Sequence, residues 1–444
     1  MSQKSSRTPA SRREFLKAGA IAAATASLTG CASAGKGGAA SDKEEKAPAF
    51  VQKLPQRIRV GLIGAGGRGT GAAIDCAVAN PEVEIVAIGD LFQDRVSSSL
   101  GALREKLGER CKATEQQCFT GFDNYRHVLA TDCDLVILAT PPGFRPAHFA
   151  AAVEAKKHVF MEKPVAVDPV GARSIIASGD KAREYGLGVV CGTQRRHQRH
   201  YLEAMKRVHG GDIGEIVAAQ CYWNQEGLWV RKKEPAWSDM EWQCRNWLYF
   251  SWLSGDHIVE QHVHNLDAVN WALRDATPVR AVGMGGRQWR TAPEYGNIWD
   301  HFAVEYEYEN GVRVTSMCRQ IDKTSSRVSE RIVGTKGVLR IDSSNAEITG
   351  ARPWKYEGPS PNPYEVEHAD LVRSIREGRP LNEARRIAES TLTAIMGRMS
   401  AYTGRELQWS WLMNSSKLDL APPKLEMGDL PVGEIPMPGV TALV

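Results

Sequence analysis

The stretch Ile58-Arg59-Val60-Gly61-Leu62-Ile63-Gly64-Ala65-Gly66-Gly67-Arg68-Gly69 sets an apolar run directly against a glycine-rich turn, and Thr70 to Ala79 continues with helical character. In a strand-turn-helix unit of this kind the first glycine, Gly64, permits the tight turn. The second, Gly66, lets backbone approach a pyrophosphate, and the third, Gly69, allows close packing of helix on strand. The exposed N–H groups of the helix start attract the phosphate charge. Asp90 closes the next apolar run, 21 residues after Gly69. A carboxylate there can accept hydrogen bonds from a ribose hydroxyl pair and would repel a 2′-phosphate, which predicts NAD rather than NADP. The predicted cofactor contacts in this unit are Gly64, Ala65, Gly66, Gly67, Arg68, Gly69 and Asp90.

Outward from this unit the chain alternates. Apolar runs at Ile58 to Ile63, Glu84 to Ile88, Leu135 to Ala139, His158 to Met161 and Gly188 to Cys191 are separated by helix-like segments at Thr70 to Ala79, Asp94 to Leu107, Pro146 to Ala155 and Pro169 to Tyr185. Strands alternating with helices predict a doubly wound α/β Rossmann domain with a parallel sheet, over residues 57–192. After about residue 212 longer alternating segments appear: Ile216 to Trp223, Ala303 to Tyr308, Val312 to Cys318, Arg331 to Val333 and Val338 to Ile341. Asn310-Gly311 between two of them signals a hairpin. With helices across Ile258 to Leu273, Glu365 to Glu377 and Glu383 to Ala401, residues 193–404 read as an α+β domain for substrate and oligomerisation. It is built on a large open, mainly antiparallel sheet, and 405–444 form a C-terminal extension.

The 444 residues, 42% hydrophobic and 24% charged, are enough for two domains with packed cores and exclude a peptide or a disordered chain. The formal charge of +4 resides in the first 30 residues, where Lys4, Arg7, Arg12, Arg13 and Lys17 face Glu14 alone. The remainder is neutral, so no basic face predicts nucleic acid as a partner. Ser11-Arg12-Arg13-Glu14-Phe15-Leu16-Lys17, followed by the small apolar run Ala18 to Leu28, is a twin-arginine leader pattern, and that run is too short to span a membrane. Leu28-Thr29-Gly30-Cys31 resembles a lipobox, with Cys31 as the lipidated residue. Residues 1–31 are thus expected to direct export through the twin-arginine machinery to the periplasm or cell exterior, with a possible lipid anchor at the membrane. Residues 32–56, rich in Ala, Gly, Ser and Lys, are expected to be a flexible tether. The other eight cysteines are scattered without CxxC spacing, and folding before export predicts no structural disulfides.

Two further strand ends fall on the ligand edge of the parallel sheet: Ala139-Thr140-Pro141-Pro142 and Met161-Glu162-Lys163-Pro164. A lysine at such an edge can be aimed at a substrate hydroxyl. Together with Gly64 to Gly69 and the His264-centred helix, these motifs resemble the Gfo/Idh/MocA family of sugar oxidoreductases, over roughly Arg57 to Gly404. The resemblance implies NAD(P) dependence, polyol or sugar substrates, contact of Glu162 and Lys163 with the nicotinamide ribose, and Lys163 in the catalytic group.

Many family members carry an Asp-x-x-x-His-x-x-Asp helix, with the histidine as proton acceptor; here Glu260-Gln-His-Val-His264-Asn-Leu-Asp267 stands in its place, with Glu260 for the first Asp. In one continuous helix Glu260 and His264, four apart, share a face, and His262 points away. Imidazole titrates near neutral pH, so His264 suits the removal of an alcohol proton as the carbon's hydride departs to a nicotinamide. His257, Glu260 and His264 also have metal-like spacing, but no HExxH occurs and hydride chemistry needs no metal, so no metal is predicted. After the last parallel strand, Gly192-Thr193-Gln194-Arg195-Arg196-His197 places Gln194 to reach the nicotinamide and Arg195 or His197 to reach the sugar. Six tryptophans between Trp223 and Trp252, with Arg245 and Asn246 among them, suit a sugar pocket through stacking on C–H patches, although core packing accounts for most such residues.

The leading expectation is an exported NAD-dependent sugar or polyol oxidoreductase with a tightly bound cofactor, assembled as a homodimer or homotetramer. A second reading is an NAD-dependent glycoside hydrolase working by transient oxidation and elimination, although Ile258-Val259-Glu260-Gln261 stands where that branch typically has Tyr-Pro-Thr-His. A third is a non-catalytic sugar-binding protein of the same fold.

Overall fold

The computed structural model describes residues 50–444, so the twin-arginine motif and Cys31 lie outside the described residues. Strands β1 (Ile58–Ile63), β2 (Val83–Gly89), β3 (Cys118–Phe119), β4 (Leu135–Leu138), β5 (His158–Met161) and β6 (Val189–Cys191) form one parallel sheet in the order β3-β2-β1-β4-β5-β6. β1 pairs with both β2 and β4, so the strand order reverses beside it, and the crevice that opens there at the C-terminal ends is where a doubly wound sheet holds its ligand. β4 and β5 are buried at every position, which explains their unbroken apolar runs: central parallel strands are covered by helices on both faces.

The second sheet has nine strands, in the order β14-β13-β12-β11-β7-β10-β9-β8-β15. These are β7 (Ile216–Gln225), β8 (Pro278–Gly286), β9 (His301–Tyr308), β10 (Arg313–Gln320), β11 (Arg327–Gly334), β12 (Gly337–Ile341), β13 (Ala346–Gly350), β14 (Trp354–Lys355) and β15 (Leu407–Gln408). All neighbours are antiparallel except β7 and β10. β9 shows the period-2 pattern of a sheet with one covered face: Phe302, Val304, Tyr306 and Tyr308 are buried and the residues between them are not. The covering element is the helix Ala384–Thr403, which packs on β8 and β9 on one side and on the helix Pro169–Glu184 of the parallel sheet on the other. It is buried almost all round, as a helix between two layers must be.

Three expectations need correction. The tether does not run free to Gln56: Val51 and Leu54 pack on the Rossmann core, and Gln52 donates its backbone N–H to Gly186 O at 3.1 Å. The single helix across Ile258 to Leu273 is two, His257–Glu260 and Val263–Ala272, because the His257 carbonyl accepts from both Gln261 and His262 and the turn widens there. The extension after residue 404 begins inside the fold, with β15 completing the edge beside β8.

Candidate active site

The glycine turn has the geometry its chemistry requires. Gly64 lies at φ +98, a conformation that penalises any side chain, and a Cβ on it would meet Thr140 N at 2.4 Å. A Cβ on Gly69 would sit 1.8 Å from Gly64 O, so the helix Gly67–Ala79 can approach the strand only with glycine there. On Gly66 and Gly67, by contrast, a Cβ would meet nothing within 4 Å, because both face an open cleft. The cleft holds about 390 Å³ and is walled by Gly64, Gly66, Gly67, Arg68, Gly69, Asp90, Thr140 and Pro141 among others. A backbone cradle without side chains at a helix N-terminus fits a dinucleotide pyrophosphate.

Asp90 is bound back to this turn. Its carboxylate accepts from Ala65 N–H at 2.7 Å and Phe92 N–H at 3.1 Å, while burial raises its pKa against those bonds. The strand end at Thr140 is held by the buried Arg145, whose guanidinium donates to Leu138 O and Thr140 O. Pro142 starts the short helix Pro142–Phe144 and is buried behind the cleft wall.

At its other end the turn is linked through Arg68 to the strand end at Glu162. Arg68 donates to Glu162, lies 3.2 Å from Asp75 and 3.5 Å from the buried Glu367, and stands over the Tyr364 ring at 4.8 Å. Burial opposes its charge, but Glu162 and Glu367 outweigh it and raise its pKa. Glu367 itself is pushed well above the carboxylate range by burial and by the Glu162 charge. Gln194 donates to Tyr364 Oη at 3.2 Å.

Lys163 joins the two halves of the site. Its Nζ donates to the Glu260 carbonyl at 2.6 Å and lies 3.2 Å from Glu260 Oε1. His264, on the second short helix, stacks on Trp223 with centroids 5.7 Å apart and 20° between planes. Burial, then the charges of Lys163, Arg195 and Arg68, drive its pKa well below the usual imidazole value, so it is a neutral base at physiological pH. Four buried polar atoms here have no partner: Glu260 Oε2, His264 Nδ1, Gln194 Oε1 and Glu367 Oε2. Buried polar atoms are nearly always paired, so this cluster is shaped for polar groups of a ligand. His262 faces the other way, its Nε2 2.7 Å from Ser316 Oγ under the sheet.

The three other residues assigned to the substrate, His197, Arg195 and Arg245, are each engaged in ion pairs of their own. His197 lies 2.6 Å from Asp370 and 3.5 Å from Glu383, which outweigh its burial and raise its pKa to about 10; it lines a separate shallow cavity with Arg373 and Arg379. A charge neutralised by two carboxylates is not available to a sugar. Arg195 stays close enough to His264 to help lower the histidine's pKa, but its guanidinium is buried against Glu330 and lies over the Tyr201 and Trp223 rings. Arg245 lies in the cleft wall at the Asp90 end. Asp267, the last position of the helix motif, is also structural, paired with Arg196 at 2.8 and 2.9 Å.

The sequence left a sugar pocket and core packing both open for the tryptophan-rich segment; Trp223 stacks on His264, whereas Trp229, Arg231, Arg245 and Trp247 line the cleft together with Phe92, Arg95, Phe122 and Phe144. Its aromatic density signalled a pocket but carried no information about which one. Among the described residues no His, Cys, Asp and Glu cluster could hold a metal ion.

Residues 58–189 match the family described as oxidoreductase family, NAD-binding Rossmann fold, and residues 201–340 match the GFO/IDH/MocA C-terminal domain. The chain belongs to the Gfo/Idh/MocA oxidoreductase family. Within this family it is 28% identical over 231 residues to 2,7-anhydro-N-acetylneuraminate hydratase of Escherichia coli, covering 52% of this chain and 57% of that one. It is 25% identical over 375 residues to a glycosyl hydrolase family 109 protein of Streptomyces coelicolor, covering 78% and 75%. It is 26% identical over 284 residues to inositol 2-dehydrogenase 3 of Saccharopolyspora erythraea, covering 64% and 73%. The solved levoglucosan dehydrogenase, a complex with NADH and levoglucosan, shares the Gfo/Idh/MocA fold with a TM-score of 0.63 at 17% identity, over 80% of this chain and 99% of that one.

Proposed function

We propose that the protein oxidises a hydroxyl of a sugar or polyol with NAD held as a resident cofactor. One observation carries the reading: a neutral buried imidazole, His264 on the helix Val263–Ala272, and a lysine, Lys163 just after β5 and bonded to the turn that leads to that helix, stand together. The glycine turn and Asp90 would hold the adenosine diphosphate half, and Glu162, Lys163 and Gln194 the nicotinamide half. NAD, when bound, supplies the hydride acceptor. His264 takes the hydroxyl proton as the carbonyl forms, and Lys163 orients the substrate oxygen and offsets its developing negative charge. Glu260 holds the lysine ammonium in place from both its carbonyl and its carboxylate.

Two of the relatives bear names of reactions without net oxidation, a hydratase and a glycosyl hydrolase, and this favours a second reading. Oxidation of a ring hydroxyl acidifies the neighbouring C–H, allowing loss of the glycosidic group, addition of water and return of the hydride. Aryl glycosides separate the readings: phenol release without lasting NADH marks the hydrolase, and lasting NADH with the aglycone retained marks the dehydrogenase.

The leader supports export through the twin-arginine route, with Cys31 as a lipid anchor, because a protein folded around NAD in the cytoplasm would carry it across. The outer face of the second sheet supports a homodimer or homotetramer. Across it the register aligns Met284, Ala303 and Met317, with both methionines exposed, and continues to Tyr222 beneath the Arg327 guanidinium. Substitution of purified protein's Met284 and Met317 by glutamate, followed by light scattering, tests this: dispersal to monomers supports the interface.

A further inference from the structure

The segment from Trp229 to Leu253 follows β7 of the second sheet but builds its core with the Rossmann half. Met240, Trp242, Cys244, Leu248, Tyr249, Phe250 and Leu253 form one apolar cluster with Ile298, and Leu91, Phe92, Phe122 and Phe144 pack against it from the cofactor side. Both sides line one cleft: Gly66, Gly67 and Asp90 from the Rossmann half, Trp229, Arg231, Arg245 and Trp247 from this segment. Arg245 closes it. Its guanidinium reaches both carboxylate oxygens of Asp94, at 3.0 and 3.2 Å, while lying 3.9 Å over the Phe92 ring and donating to Glu241 at 2.9 Å. The buried Asn246 fixes the segment's shape, accepting from Arg231 N–H at 2.8 Å and donating to Glu294 O at 2.7 Å.

We propose that this segment is a clasp over the adenosine half of the dinucleotide. Trp229 and Trp247, edge to face with centroids 6.3 Å apart, supply an apolar wall for the adenine. Arg95 from the Rossmann half and Arg231 from the segment add positive charge suited to the diphosphate. Arg245 and Asp94 are the latch that joins the two halves of the molecule above the nucleotide. The half is fixed by the company the segment keeps: it shares the cleft with Asp90 and Phe92, whereas Lys163, Glu260 and His264 do not line it. The clasp therefore governs how long the cofactor stays and leaves the proton-transfer groups to their own end. The inference rests on NAD as the resident cofactor, and it gives that residence a physical cause.

The test is exchange of bound NAD in the full-length protein. The nucleotide content is measured after gel filtration and denaturation, and release is timed by chasing bound NAD with an excess of labelled NAD. Arg245→Ala breaks the latch from the second domain. Asp94→Asn breaks it from the Rossmann side at a position more than half exposed, where folding is not at stake. The clasp predicts NAD retained through gel filtration in the unmodified protein and release at least tenfold faster in both variants, and in Trp229→Ala/Trp247→Ala. Wild-type rates in well-folded Asp94→Asn and Arg245→Ala overturn it. Rapid, saturable exchange in the unmodified protein also overturns it while leaving NAD dependence intact, whereas complete failure to bind NAD sinks both readings.

Discussion

Lys163 Nζ donates to the backbone carbonyl of Glu260 at 2.6 Å and stands 3.2 Å from that residue's carboxylate, so the strand end of the parallel sheet and the first short helix of the second domain meet at one ammonium group. The two contacts have different consequences. Glu260→Gln keeps the carbonyl acceptor and removes the charge, so the lysine stays placed but is less strongly fixed; about a tenfold loss of kcat is expected. Lys163→Met removes orientation and charge together, and a loss of about a hundredfold or more is expected, within the span of positioned acid-base groups. Steady-state kinetics with NAD in excess checks both, and equal losses would contradict the division of roles.

His264 is held neutral by burial and by three neighbouring cations, so its proton-accepting form persists well below the pH at which ordinary imidazole is charged. The acid limb of kcat/KM is expected below pH 6.5 rather than at it. Lys163→Met removes one of those cations, and any residual activity should show the limb displaced toward higher pH.

Stability follows the other buried histidines. Burial lowers His148 and His262 to about 3 and His158 to about 4, from a usual value of 6.5. Below pH 6.5 the unfolded chain binds protons that the folded chain refuses, so folding weakens as pH falls, by about 2 kcal/mol for each of these groups at pH 5. His197 has the opposite sign: raised to about 10, it stabilises fully below pH 6.5 and its contribution is lost as pH climbs toward 10. Denaturant titrations across this range should place the optimum close to pH 6.5, and stability flat down to pH 4 would contradict the neutral, buried histidines.

Asp90 spends one carboxylate bond on Ala65 N–H and another on Phe92 N–H, and faces the cleft with its charge. Asp90→Ser is expected to narrow the preference for NAD over NADP by about tenfold or more, since one charge repulsion of about 1.4 kcal/mol corresponds to a tenfold ratio. Binding titrations with each nucleotide measure it.

The parallel sheet was legible because each strand is a short apolar run bounded by turn residues: Ile58–Ile63 and His158–Met161 have the bounds the sequence predicts. The two-residue strands β3, β14 and β15 have too few positions for a period, β13 has only Ala346 and Ile348 on its covered face, and β8 lacks the apolar alternation of β9. At the site, Gly64 to Gly69, Lys163 and His264 were legible because each carries a local motif. The ion pairs that engage His197 and Arg195 were not, because Asp370, Glu383 and Glu330 lie more than 130 residues away along the chain. The break at Gln261 and His262 was hidden for a related reason: neither residue is a helix breaker, and the wide turn is imposed by packing.

The central claim is that Lys163 and His264 act on a hydroxyl presented to NAD. Rapid mixing of NAD-loaded protein with a panel of sugars and polyols, followed by NADH absorbance, tests it most directly. At least one substrate is expected to produce NADH, lasting or transient, and His264→Gln and Lys163→Met to abolish the signal while still binding NAD. NADH formed at the wild-type rate by either variant would contradict it.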